Sequence, residues 1–294
     1  ILKDASSTAI YGASGANGVI LITTKSGQEG NTQVDFNTYV GFNGWSETPR
    51  VHNGAQYFAV KKQAQQNAGT YTSDDEVLAP QVYAAYQKGE YIDWVKAIMS
   101  NQVTQNYSLA FSGGTQKTKA YFSLNFNDEN GQYKGDTYKD YSSNILIDHK
   151  VNDWFSAGLN APVYYTLASS AYSKMENALR AMPYGRLYDD QGNLNVLPVA
   201  GDEETVNYLL DTNKDVYRDD NNDFSIYFNP YILISPIKGL TLESRVSANL
   251  SYSRGNNFAG IGSYQYYWAE GASATGTAPS VAASIEQDRN YNYR

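Results

Sequence analysis

The residues of this chain best equipped for chemistry are carboxylates and aromatics. Asp211, Asn213, Asp215, Asp219, Asp220, Asn221, Asn222 and Asp223 crowd oxygen donors into one stretch, the donor type that calcium takes. An EF-hand fails there, because its sixth and twelfth positions need Gly and Glu and hold Val216 and Asn222. A calcium site of another kind in an outer loop stays open, beside a plain solvated acidic loop leading into a strand near Phe224; no other cofactor is indicated. His52 and His149 are the only histidines, in a chain without cysteine, and cannot build a zinc site between them. Asp189 and Asp190 are adjacent in a turn sequence and cannot flank a scissile glycosidic bond from two sides. Gly12, Gly15 and Gly18 precede the apolar run Val19 to Thr24, whereas a phosphate loop follows its strand. No catalytic or metal residue emerges, and the chain is expected not to be an enzyme. The aromatic run Tyr264, Tyr266, Tyr267 and Trp268 is the best candidate for cargo contact, since sugars and peptides pack on flat rings, with Tyr184, Tyr188 and Trp45 behind it.

The elements that must carry these residues read as β-structure. Aromatics make up 14% of the 294 residues, with 27 Tyr, and the composition favours strands with wet aromatic surfaces. A net charge of -8 opposes a nucleic-acid partner. No run of about 18 apolar residues encodes a membrane-spanning helix, but transmembrane strands, which alternate lipid-facing and lumen-facing residues, would also give the low mean hydropathy of -0.53.

Strict alternation recurs along the chain. Val34, Phe36, Thr38, Val40 and Phe42 share one face; so do Ala120, Phe122, Leu124 and Phe126, and again Phe155, Ala157, Leu159, Ala161, Val163 and Tyr165. The clearest case spans 241 to 252, where Leu242, Val246, Ala248, Leu250 and Tyr252 oppose Glu243, Arg245 and Asn249. Several runs reach the roughly 9 to 11 residues of a bilayer-crossing strand, beyond the ~5 to 6 of a globular one. Short connections (113 to 116, 152 to 153, 235 to 239) alternate with long polar ones (about 45–103, 127–139, 166–222 and 255–280), as in outer-membrane barrels. A soluble carbohydrate-binding sandwich has no reason to sort its connections this way.

The stretch LKDASSTAIYGASGANGVILITTKSG, residues 2 to 27, resembles the end of the plug domain in the SusC/RagA group of TonB-dependent outer-membrane transporters of Bacteroidetes. Residues 91 to 160 and 236 to 252 resemble its second to fifth barrel strands and a later strand. The resemblance implies an all-β fold: an antiparallel transmembrane β-barrel of about 22 strands enclosing an α/β plug. Of this the chain is expected to supply the plug end (1–30) and about eight strands (31–294). An open sheet in hydrocarbon strands its edge N–H and C=O groups, so the remaining strands are expected from another chain or a longer protein.

The resemblance further implies import of a large nutrient, an oligosaccharide or peptide, across the outer membrane. Its partners would be TonB, outer-membrane lipid and a SusD-like surface lipoprotein, in a possible dimer of transporter–lipoprotein pairs. The other reading weighed is a structural or adhesive surface protein without transport. Most tyrosines outside the cargo candidates are expected in aromatic belts at the bilayer boundaries.

Overall fold

The computed structural model describes residues 25–171, 175–202, 205–269 and 282–293. The expected plug end, with Gly12, Gly15 and Gly18, lies almost wholly outside the described residues.

One antiparallel sheet dominates: β1 (Gly30–Asn43), β2 (Gln102–Gly114), β3 (Thr118–Asn130), β4 (Thr137–Lys150), β5 (Phe155–Ser169), β6 (Tyr217–Ile237), β7 (Leu240–Arg245), β8 (Ala248–Ala259) and β9 (Ala282–Tyr293). Neighbours follow chain order along the path β1-β2-β3-β4-β5-β6-β8-β9, with β7 paired to β6 off that path. Eight strands lie on the path, and β1 and β9 form its two edges. This is the expected antiparallel, unclosed part of a barrel wall.

Prolines mark where the ladder is irregular. The long β6 pairs with β8 through Tyr217 to Phe228 and with β7 from Tyr231 onward. The break at Val246 and Ser247 faces Pro230, which has no N–H to give to the neighbouring strand. Only the Val246 N–H donates across the gap, to the Pro230 carbonyl at 3.0 Å. The single strand expected over 241 to 252 is therefore two. Pro162 sits in a gap of the β5–β6 ladder, and Pro236 inside the register shift between Ile234 and Ile237.

The register carries the sequence alternation across the whole sheet, because directly paired residues share a face. Phe36, Leu109, Leu124, Ser143, Val163, Ile226, Leu250 and Tyr291 are successive partners. So are Thr38, Tyr107, Phe126, Tyr141, Tyr165, Phe224, Tyr252 and Arg289, an almost unbroken aromatic row on the same face. Phe126 and Tyr141 stand 4.8 Å apart between ring centroids, Tyr107 and Phe126 6.2 Å, and the Arg289 guanidinium lies 5.7 Å from the Tyr252 ring. The face is uncovered: Phe36 is 62% exposed and Leu124 45%.

Sorting of the connections survives with changed bounds. One end of the sheet carries the turns 115–117, 151–154 and 238–239. There Gly239 takes φ 90°, and the Asn152 side chain accepts from the N–H groups of Trp154 (3.0 Å) and Phe155 (2.8 Å). The other end carries the connections 44–101, 131–136, 170–216 and 260–281. Three of these are shorter than the polar composition suggested: β3 runs on to Asn130 and β4 starts at Thr137, β6 starts at Tyr217, not near Phe224, and β8 runs on to Ala259. Asp128, Glu129 and Asp220 to Asp223 are poor strand formers alone, but each has a ladder partner, and cross-strand bonding overrides propensity.

Candidate functional site at the capped end of the sheet

The longest connections are not loose. The segment 44–101 folds into α1 (Gly54–Ala68), α2 (Pro80–Lys88) and α3 (Trp94–Ile98), with α4 (Met175–Arg180) and α5 (Tyr264–Ala269) in the next two long connections. Local signals set the bounds. Asn53 and Gln56 form a reciprocal capping box at the start of α1, at 2.9 and 3.1 Å, and Gly69 closes it in the left-handed conformation. Pro80 opens α2 and Gly89 ends it in the same way; the Asp93 side chain caps α3.

These pieces share two apolar cores, which together make a cap on this end of the sheet. In the first, Ile92, Trp94, Val95 and Ile98 of the first connection meet Ala178, Val206, Leu209 and Leu210 of the third and Tyr264 of the fourth. Trp94 is 1% exposed, its indole N–H donates to the Met182 carbonyl at 2.9 Å, and its ring meets Tyr208 edge-on at 4.9 Å. The second core joins Phe58, Val77, Leu78, Val82 and Ala85 to Tyr184 and Val199. The short 131–136 connection is tied in as well: Ser100 N–H donates to the Gln132 carbonyl at 3.1 Å and Lys134 N–H to that of Ile98 at 2.8 Å.

The aromatic cargo candidates divide on this geometry. Tyr264 is 3% exposed, packed in the first core against Tyr208 at 5.1 Å between ring centroids. Tyr184 is 1% exposed in the second core, its hydroxyl donating to the Gly54 carbonyl at 2.7 Å amid the rings of Tyr57, Tyr86 and Tyr91. Burial pushes its phenol above the ordinary tyrosine range. Both are core residues of the cap and are withdrawn as cargo contacts: the apolar partners that bury them lie in connections far away in sequence. Tyr188 is exposed beside a turn, Tyr266 and Tyr267 are half-buried and meet edge-on at 5.2 Å, and Trp45 packs edge-on against Tyr133 at 5.9 Å. Trp268 follows in α5, its side chain outside the described residues.

Among the described residues, Asp211 is the cap's one strongly perturbed carboxylate. It is wholly buried; one oxygen accepts from the Tyr264 N–H at 2.6 Å and the other has no partner. Burial raises its carboxyl to about 6 against the opposing pulls of that N–H and of the Lys214 charge. It is a structural tether between the third and fourth connections. The rest of the acidic stretch is dispersed: in β6 Asp219, Asn221 and Asp223 point to one face, Asp220 and Asn222 to the other. Among the described residues no three His, Cys, Asp or Glu side chains gather to hold a metal ion. Asp189 is occupied within its turn, accepting from Gln191 and Asn193, and Asp190 pairs with Arg186 at 2.6 Å. His149 bonds the Thr118 hydroxyl at 2.8 Å, at the sheet end remote from the cap.

One feature of the capped end escaped the sequence reading. On the face opposite the apolar one, Tyr39, Asn106, Asn127, Asp140, Thr166, Asp223, Ser253 and Asp288 form one cross-sheet row, with Glu129 and Glu286 in the next row toward the cap. Its members bond to one another: Asn127 donates to Glu129 at 2.8 Å, Thr166 to Asp140 at 3.4 Å and Asn221 to Asp223 at 2.8 Å. Extending each alternating run by two or three polar residues would have found it. The arrangement sets a polar, acidic face of the sheet below the cap.

A scan of protein-family models returns no match. Among curated proteins, the TonB-dependent receptor P39 of Formosa agariphila is 29% identical over 265 residues, 88% of this chain and 24% of that protein. The TonB-dependent receptor SusC of Bacteroides thetaiotaomicron is 31% identical over 148 residues, 50% of this chain and 13% of that protein. In sequence the chain is thus similar to part of the TonB-dependent receptors of SusC type. Among solved structures, the RagAB peptide transporter superposes with a TM-score of 0.73 at 22% identity, over 87% of this chain and 32% of that one, which matches the fold of wall and cap. The chain thus spans about a quarter of the length of the curated relative P39. These relatives are named as receptors and transporters, not as enzymes.

Proposed function

We propose that this chain is part of an outer-membrane transporter importing a large nutrient, an oligosaccharide or a peptide, under the drive of TonB. The observation that supports it best is the division of the sheet: an uncovered apolar face, an opposite polar face, and a folded cap at one end only. A barrel wall has that division, with lipid outside, lumen inside and the cap at the outer mouth. Residues 1–30 would end the plug and the remainder of the protein would close the barrel. A SusD-like lipoprotein would sit over the cap, and Tyr188, Tyr266, Tyr267, Trp268 and Trp45 would meet cargo as it enters. The chain performs no covalent chemistry in this reading: it supplies wall, mouth and polar surface while the plug is moved. The test is uptake by cells producing the full-length protein, with and without TonB. Loss of energised uptake on removing TonB is expected; uptake that persists would refute the proposal.

A further inference from the structure

The outward apolar face is not uniformly filled. Along the row Phe36, Leu109, Leu124, Ser143, Val163, every position carries a large apolar side chain except Ser143, and the face sinks there. The depression is a trough of about 430 Å³. Its floor is Leu109, Leu124, Ser143 and Val163, and Tyr141 stands in the aromatic wall beside it. It runs from β1 to β5, four strand spacings or about 19 Å. At the usual strand tilt of roughly 40° that path climbs about 12 Å along the barrel axis, within the ~15 Å that one leaflet contributes to the hydrocarbon core.

From this geometry we infer a binding site on the outer wall for one acyl chain of a membrane phospholipid, held in the trough at Ser143. The inference rests on the outer-membrane reading above, which places this face against lipid. Three observations select the occupant: the trough is continuous with the apolar face, its lining is almost wholly apolar, and its length suits a hydrocarbon chain confined to one leaflet. A chain lying there packs against ring faces on one side and aliphatic floor on the other, contacts that a mobile neighbour in the annulus forms only in passing. Each atomic contact is small, and the sum over the trough is what holds the chain.

The test uses the full-length transporter in phosphatidylethanolamine nanodiscs doped with acyl-chain spin-labelled phosphatidylethanolamine. The parent protein is expected to give an immobilised spectral component; Ser143→Phe, which fills the trough, should cut it about threefold through the lost contacts, and Ser143→Ala should leave it unchanged. Ser143→Leu serves as a second filling variant should the phenylalanine disturb folding, which heat-modifiable gel migration reports. No immobilised component in the parent, or an equal one in folded filling variants, would overturn the site. Failure of the parent to reach the outer membrane would instead overturn the membrane reading.

Discussion

The sheet and its cap use the same kinds of side chain in opposite ways. In the cap, Trp94, Val82, Ile98 and Val206 are almost wholly buried. In the sheet, Phe36, Leu124, Ile145, Ile232 and Leu250 are exposed on a face that none of the other described residues covers. The cap hides its apolar atoms from water in the ordinary way, whereas the sheet leaves them on its surface, as the lipid-facing wall of the proposed transporter would. The lesson is that burial alone misjudges this molecule: the exposed apolar wall is held by its backbone ladders, the cap by its cores.

That contrast sets the order of the expected effects. Trp94→Ala removes the largest buried ring of the first core and its bond to Met182, and should cost the cap about 3–5 kcal/mol. Limited proteolysis of the full-length protein should then cut within 44–101 while heat-modifiable migration of the barrel persists; simultaneous loss of both would break the distinction. Leu124→Arg places a charge on the apolar face and should cost the wall about 2–4 kcal/mol, read as lowered yield of folded barrel, with the cap unaffected.

Asp211 sharpens the comparison through pH. Its carboxyl is raised from 3.8 to about 6, so the unfolded chain ionises before the folded cap does. Its contribution to stability is therefore fully present below about pH 3.8, falls as pH rises and levels off beyond about 6. Asp74, held low by its bond to Lys62, and Asp189, held low by Asn193, act with the opposite sign, losing their contribution in acid. The informative quantity is the difference in cap melting temperature between Asp211→Asn and the parent, which should shift in favour of the variant between about pH 4 and about pH 7. No shift would mean that Asp211 is not buried as described. Smallest is Asn53→Ala, which removes the capping box of α1 and should cost about 1 kcal/mol, seen as faster amide exchange over the first turn.

Much of the wall was legible because a two-residue period survives from sequence into register: the partners Phe36, Leu109 and Leu124 follow from alternation once the turns are placed. The strand ends were not, because Asp220 to Asp223 look like loop by composition and become strand only through partners in β5 and β8. The cap was hidden for a related reason. Its segments look polar one at a time, and only the meeting of Trp94, Val206 and Tyr264 from three connections makes a core. Tyr184 and Tyr264, candidates for cargo contact by sequence, anchor these cores for that reason.

The most direct test of the wall is a cysteine scan of 119–127 in β3, a stretch without cysteine, with any cysteine outside this chain replaced by serine. Each introduced thiol carries a nitroxide in the full-length protein reconstituted in bilayers, and collision with oxygen is compared with collision with a water-soluble nickel complex. Labels at 120, 122, 124 and 126 are expected to favour oxygen, and those at 121, 123, 125 and 127 to lose that preference, with a period of two. Equal access of the nickel complex to both sets would contradict a sheet with one face in lipid.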